Sequence, residues 1–397
     1  MQKGRSLSAH ASPGGSPAAG LYIHVPFCRA KCPYCDFYSI GDRRLIPDYL
    51  DALQTELNLR RQRVPAVDTV YFGGGTPSML TPGRIGRILD QAGGCFALDA
   101  HAEVTLEVNP GTVNPENLAA YRAAGVNRLN IGLQSIDDQN LNFLGRIHTA
   151  EEGLDAYRWA RAAGFENVGL DLIYGLPGQT RRRWEAELTE VARLAADHLS
   201  CYTLTIEPGT PLAARVQNGR VRPLDEATAA ALFSLTAAYL NRHGYRQYEI
   251  SNFARQTGAD TRDRRSRHNL KYWTFAPYLG FGPAAHSFLD NRRWWNHRAL
   301  DDYLADLNSG KPPLAGSETL SREQQIIEFI YLGLRRTDGI DTTQYALRFK
   351  EEFSRRFESR ATRLMEEGLL EKSSEHIRLT ARGMRFLESV AGRLIGG

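Results

Sequence analysis

An α/β fold built on an incomplete (β/α)6 barrel, followed by a C-terminal helical, winged-helix-like domain, is what this sequence predicts. Three observations carry that reading. Six short apolar, β-branched runs alternate with longer segments of helical period from residue 20 to about residue 220. Six units fall short of the eight that close a full barrel. The residues able to do chemistry stand at or just past the C-terminal ends of the runs, where a parallel α/β architecture gathers its site.

The runs are "LYIHVPF", "VDTVYFGGG", "EVTLEVNP", "RLNIGLQS", "NVGLDLIYGLP" and "HLSCYTLTIEPG". Helical candidates between them cover Leu45–Arg61, Pro82–Ala92, Pro115–Ala124, Thr149–Ala163 and Arg182–Ala196, each with apolar residues three and four apart on one face. Residues 1–19, rich in Gly, Ser, Ala and Pro and without the apolar core of a signal peptide, read as a disordered tail. The barrel core is assigned to 20–220. An aromatic-rich extension over 221–305, lacking clear strand–helix alternation, is expected to cover the barrel. Helix formers resume over 306–397, where "LMEEGLLEKSSEHIRLTARGMRFL" reads as helix, two short strands about a polar turn, and helix. That pattern is winged-helix-like, but it lacks a strong basic recognition face, so no nucleic-acid partner is expected.

With 42% hydrophobic and 24% charged residues the chain has the composition of a globular protein with a sizeable core. No apolar run reaches the ~18–20 residues that span a bilayer. Five cysteines, three of them crowded together, argue against a disulfide framework and for a metal site in a reducing compartment, hence a cytoplasmic location.

The crowded three are Cys28, Cys32 and Cys35 in "FCRAKCPYC", after the first strand. Zinc at that spacing would need a fourth ligand from Cys95, Cys201 or a histidine. Cys95 ends a helical candidate and Cys201 lies within a strand, so both read as core residues. An iron–sulfur cube can be held by three thiolates with one iron left open. His24 reads as a structural hydrogen-bonding residue. Glu107, Gln134 and Asp171 sit at three other strand ends, and "GGGTP" at a fourth.

The C-x3-C-x2-C loop resembles the signature of the radical S-adenosylmethionine (SAM) superfamily. With "YFGGGTPS", "LEVNP", "GLQSID", "LGRIH" and "LDLIYGLPGQT" in order, the chain resembles the oxygen-independent coproporphyrinogen III oxidase family from Leu21 onward. The resemblance implies that Cys28, Cys32 and Cys35 hold a 4Fe–4S cluster whose open iron chelates SAM. It implies that Tyr22 and Gly74 contact that SAM and that Glu107 pairs with its amino group. Gly75, Thr76, Gln134, Arg146 and Asp171 match positions that contact a second SAM. The side-chain-free "GGG" would let backbone approach the ligand closely.

Two departures separate this chain from the oxidases. Phe37 stands where their motif continues with another cysteine, and a short polar tail replaces their long N-terminal extension. The "CDF" ending, the length and "HNLKYW" at His268–Trp273 are similar to the HemW-type haem chaperones. That resemblance implies haem as a further ligand, with His268 as its axial ligand and Tyr272 and Trp273 as the nearby wall. It implies an electron donor and haem-accepting proteins, possible membrane residents among them, as partners. The alternative it leaves open is the oxidase activity itself, oxidative decarboxylation of coproporphyrinogen III to protoporphyrinogen IX.

Overall fold

The computed structural model describes residues 17–61, 64, 66–256 and 262–396. The expected tail therefore lies, up to residue 16, outside the described residues. Its expected end is corrected: Ala19 is fully buried and already belongs to the first strand.

Six parallel strands stand side by side in chain order: β1 (Ala19–Val25), β2 (Val67–Gly74), β3 (Leu98–Val108), β4 (Arg128–Gln134), β5 (Val168–Tyr174) and β6 (His198–Thr203). The crossovers carry α1 (Ile46–Leu59), α2 (Pro82–Cys95), α3 (Pro115–Ala123), then α4 (Asp138–Phe143) with α5 (Ala150–Ala162), and α6 (Arg181–Arg193). Apart from register slips after Val67 and before Gln134, each strand alternates. Leu21, Ile23 and Val25 of β1, Val70 and Phe72 of β2, Leu129 and Ile131 of β4 and Leu199 and Cys201 of β6 enter the core shared with the helices. The residues between them (Tyr22 and His24; Thr69 and Tyr71; Glu103, Thr105 and Glu107; Arg128 and Asn130; Asp171; His198 and Ser200) are polar or amphipathic and form the inner face. This two-residue period is what turns a run of sequence into a barrel wall with a dry outside and a chemically active inside.

The 221–305 stretch is more regular than its sequence suggests. After α7 (Pro211–Gln217) and α8 (Glu226–Arg242), β7 (Tyr245–Gln247) and β8 (Asn252–Arg255) pair antiparallel beside β6. Helix α9 (Arg267–Trp273) follows, and β9 (Tyr278–Phe281) runs parallel to β1. Strands β10 (His286–Leu289) and β11 (Arg292–Asn296) come next, then α10 (Leu300–Asn308) and β12 (Leu314–Thr319). Among the described residues the sheet has twelve strands in the order β12-β11-β10-β9-β1-β2-β3-β4-β5-β6-β8-β7, with β12 and β7 outermost. The barrel is open, as six units require, and the extension widens the sheet at both sides.

The C-terminal unit has its own core of Ile330, Tyr345, Phe357, Val390 and their neighbours. Its order is α11 (Arg322–Arg335), β13 (Ile340–Asp341), α12 (Thr342–Phe349), α13 (Phe353–Glu366), β14 (Leu370–Ser373), β15 (His376–Leu379) and α14 (Leu387–Ile395). Helix–strand–helix–helix–strand–strand with a β13-β15-β14 sheet is a winged-helix arrangement, closed by a further helix. It docks on the barrel through Arg335, whose guanidinium reaches Glu249 at 2.8 Å and lies 4.3 Å from the Trp273 ring.

Candidate cluster and ligand site

The loop after β1 is pinned at both ends, which is what lets three cysteines share one place. Ile40 N–H donates to Pro26 O and Cys28 N–H to Ile40 O, at 2.7 and 3.0 Å. All three thiols are free and half-buried. Hydrogen-bond donors approach two of them: the Thr76 hydroxyl stands 3.5 Å from Cys28 Sγ and Arg146 Nη1 3.5 Å from Cys32 Sγ. Burial pushes the Cys35 thiol up, and the neighbouring Cys32 and Cys28 push the same way. Among the described residues no three His, Cys, Asp or Glu side chains converge on one metal ion. A cube held at three corners does not ask for that convergence, and three soft sulfurs with a cationic donor beside them suit its charge.

Arg146 joins this loop to the end of β4. Its Nη2 donates to Gly132 O at 3.0 Å, and the Gln134 amide lies over the same glycine: a Cβ at Gly132 would fall 2.8 Å from Gln134 Nε2 and 3.4 Å from Arg146 Nη2. Arg146 Nε is buried without a partner, and so is Asp171 Oδ1, whose fellow oxygen accepts from Asn130 Nδ2 at 2.6 Å. A buried donor and a buried acceptor left open on the inner face are what a ligand with both a carboxylate and an amine or hydroxyl would complete. The residues present therefore fit the group that the resemblance implies.

Glu107 faces the same space. The Tyr71 hydroxyl donates to its Oε1 at 2.7 Å, and Tyr71 stacks on Tyr22, whose own hydroxyl meets His24 Nδ1 at 3.1 Å. Burial lifts the Glu107 carboxyl to about 7 against the pull of the Tyr71 hydrogen bond. Burial also raises Asp171 and lowers His24 to about 4. His24 donates or accepts at both nitrogens, the second toward Tyr38 O at 3.0 Å, so it is a structural residue as its place in the sequence suggests.

Two glycines of "GGGTP" also have a packing reason to be glycine. Gly74 has φ +108, and a Cβ there would lie 2.6 Å from the His24 ring; at Gly75 it would meet Phe27 O at 2.8 Å. The turn leaving β2 is pressed against the loop leaving β1, and the His24 ring at Gly74 and the Phe27 backbone at Gly75 each leave no room for a Cβ.

His268 departs most from expectation. It sits on α9 at the opposite end of the barrel from the cysteines, near the N-terminal ends of β1 and β2. Its ring is 1% exposed and both nitrogens are engaged, Nδ1 with Thr69 Oγ1 at 2.9 Å and Nε2 with the Tyr272 hydroxyl at 3.0 Å. Glu103 caps the helix by accepting from the Arg267 and His268 amides, and Lys271 ties it to Asp68 at 2.5 Å. Burial, reinforced by the Lys271 and Arg128 cations, lowers the imidazole to about 3. In this conformation α9 is a plug in the barrel floor, and it offers iron no free nitrogen. Phe37, by contrast, stands out from the cluster loop at 61% exposure.

Sequence reasoning missed Tyr71, Asn130 and Tyr34, the last of which packs with Leu144, Ile173 and Leu176 beneath the cluster loop. The first two stand at even steps from Gly73 and Gly132 in "TVYFGG" and "RLNIGLQ", so the strand period alone would have put them on the inner face.

Comparison with known proteins places this arrangement. A family model described as the radical SAM superfamily matches residues 22–191, and one described as the HemN C-terminal domain matches residues 320–386. A protein of Mycobacterium tuberculosis named heme chaperone HemW is 36% identical over 383 residues, 95% of each chain. One of the same name from Bacillus subtilis is 33% identical over 380 residues, 94% of this chain and 98% of that one. Among solved structures, coproporphyrinogen III oxidase (HemN) from Escherichia coli superposes with a TM-score of 0.81 at 25% identity, covering 96% of this chain and 91% of that one. With the thiol loop, the open six-unit barrel and full-length likeness in agreement, this chain belongs to the radical SAM superfamily, in the HemW family that shares the HemN fold.

Proposed function

We propose that this protein is a haem chaperone of the radical SAM type, which binds a 4Fe–4S cluster, SAM and haem and delivers haem to acceptor proteins in the cytoplasm or at a membrane surface. The observation that carries the proposal is the end-to-end likeness to proteins named heme chaperones. No described helix is long and apolar enough to cross a membrane. Cys28, Cys32 and Cys35 would hold the cluster. Tyr22, Gly74 and Glu107 would border one SAM, and Gly75, Thr76, Gln134, Arg146 and Asp171 a second. When bound and reduced by an electron donor, the cluster supplies the electron that cleaves SAM. The chain's own residues would orient that ligand: Arg146 offers a carboxylate its open Nε–H, Asp171 accepts from a hydroxyl or amine, and the ionised Glu107 accepts from the amino N–H of the cationic ligand.

The likeness to HemN favours a second reading, porphyrinogen decarboxylation. One anaerobically reconstituted preparation tests both. Haem titration is expected to saturate at one haem per chain, while coproporphyrinogen III gives no protoporphyrinogen IX. Robust turnover without haem binding would reverse the assignment.

Glu107 gives the proposal a pH signature. Its carboxyl holds its proton to about pH 7, above the ordinary 4.5, so its own contribution to stability is present below pH 4.5 and is lost as pH rises through 7. A cationic ligand needs the ionised form. SAM affinity measured by equilibrium dialysis is therefore expected to rise roughly tenfold per pH unit below 7 and to level off above it. Glu107→Gln should flatten the profile; an unchanged slope in that variant would remove Glu107 from the site.

A further inference from the structure

Glu187 lies on α6, outside the inner face, and is 5% exposed. Four donors converge on its carboxylate. Oε2 accepts from the Ser135 hydroxyl at 2.5 Å and from Ile136 N–H at 3.3 Å. Oε1 accepts from Asn140 Nδ2 at 3.0 Å and from Gln179 Nε2 at 3.3 Å. Three of these partners belong to the segment leaving β4. The fourth belongs to the turn leaving β5, where Gln179 Oε1 accepts from the Gly175 and Leu176 amides at 2.7 and 3.4 Å. One carboxylate thus joins the two loops that carry Gln134 and follow Asp171.

The segment it holds has reason to relax. Gln134 has φ +66, a left-handed conformation that a residue with a Cβ avoids. The β4–β5 pairing also slips there, from Ile131↔Leu170 to Gln134↔Leu172, so that β4 carries an extra residue just before the site. Ser135, directly after Gln134, is fully buried, and its oxygen also accepts from Asp137 N–H and Asn140 Nδ2 at 3.1 Å each. All of this local bonding leads back to Glu187. Every partner presents a hydrogen, so only a group with acceptors on both oxygens satisfies them; an amide would turn one acceptor into a donor facing two donors.

We propose that Glu187 is the positioning residue of this end of the barrel, acting through Ser135 and Gln179 to hold Gln134 in its left-handed turn beside Arg146 and to keep the β5 turn in place before any ligand arrives. That the ligand is SAM rests on the function proposed above; the positioning itself does not.

Hydrogen–deuterium exchange of the full chain without ligand, paired with SAM equilibrium dialysis on reconstituted protein, tests it. In Glu187→Gln, amide protection over 132–140 and 174–180 is expected to fall roughly tenfold, with protection over 69–76 and 322–395 unchanged, and SAM affinity to fall by a similar factor. Glu187→Asp, which keeps both acceptors on a shorter stem, should recover part of each. Unchanged protection in both loops, or an even loss along the whole chain, overturns the proposal. Failure of the wild-type chain to bind SAM would instead sink the ligand assignment and leave the exchange result standing. Should Glu187→Gln not fold, Ser135→Ala and Gln179→Ala carry the test: each is expected to loosen its own loop and weaken SAM, and unchanged exchange in both overturns the idea.

Discussion

Replacing Cys28, Cys32 or Cys35 by serine is expected to abolish the visible iron–sulfur absorbance of anaerobically reconstituted protein, while Cys95→Ser and Cys201→Ser leave it intact. The contrast follows from where each sulfur stands. The three loop thiols are half-buried past a strand end, two of them with hydrogen-bond donors in place beside the sulfur. Cys201 lies on the outer face of β6 among the core side chains, where burial drives its thiol far up, so it supplies no thiolate. Cys95 closes α2 beside Asn58 Oδ1 at 3.5 Å, away from the cluster loop. Serine at any loop position removes a soft ligand and leaves two, too few for a cube. Retained absorbance in one of those variants, or its loss in Cys95→Ser, would show that the ligand set is different.

Much of the barrel was legible because its signal is local and repeated. A two-residue alternation such as "LYIHV" and a helical stripe such as Pro82–Cys95 are each complete within 14 residues, and the chain repeats the strand run six times. The strand-end residues were legible for the same reason: Glu107 and Asp171 follow from where a run stops. What escaped is what depends on distant pairing. Strands β7 to β10 are three or four residues long, too short for a period to register, and β9 is a strand only because β1 lies beside it. The triple glycine was visible, but that the His24 ring and the Phe27 carbonyl fill the space above it is a property of the packed turn. Glu187 looked like an ordinary helix residue, since nothing nearby in sequence announces four donors arriving from two other loops. The "HNLKYW" motif was legible as chemistry and not as place: an imidazole beside two aromatics can face a macrocycle or plug a floor, and only the return of α9 onto Thr69 and Glu103 decides between them.

His268→Ala is expected to destabilise the protein by about 2–4 kcal/mol, since it empties a packed position between Gly20 and Tyr71 and leaves the Thr69 and Tyr272 hydroxyls without their partner. Under the proposed function the same substitution weakens haem, but only by way of a conformation in which α9 has left the floor. Glu103→Gln separates the two effects. It leaves the imidazole untouched and weakens the cap on the Arg267 and His268 amides, thereby raising the fraction of molecules with α9 released. Apparent affinity scales with that fraction, so haem titration of Glu103→Gln should tighten several-fold while that of His268→Ala loosens by about tenfold or more. Both variants should lower the thermal midpoint, so opposite movements in haem affinity cannot come from lost stability alone. If Glu103→Gln binds haem no better and His268→Ala no worse, α9 stays closed when haem binds, the iron is held elsewhere, and His268 is a residue of the barrel floor and nothing more.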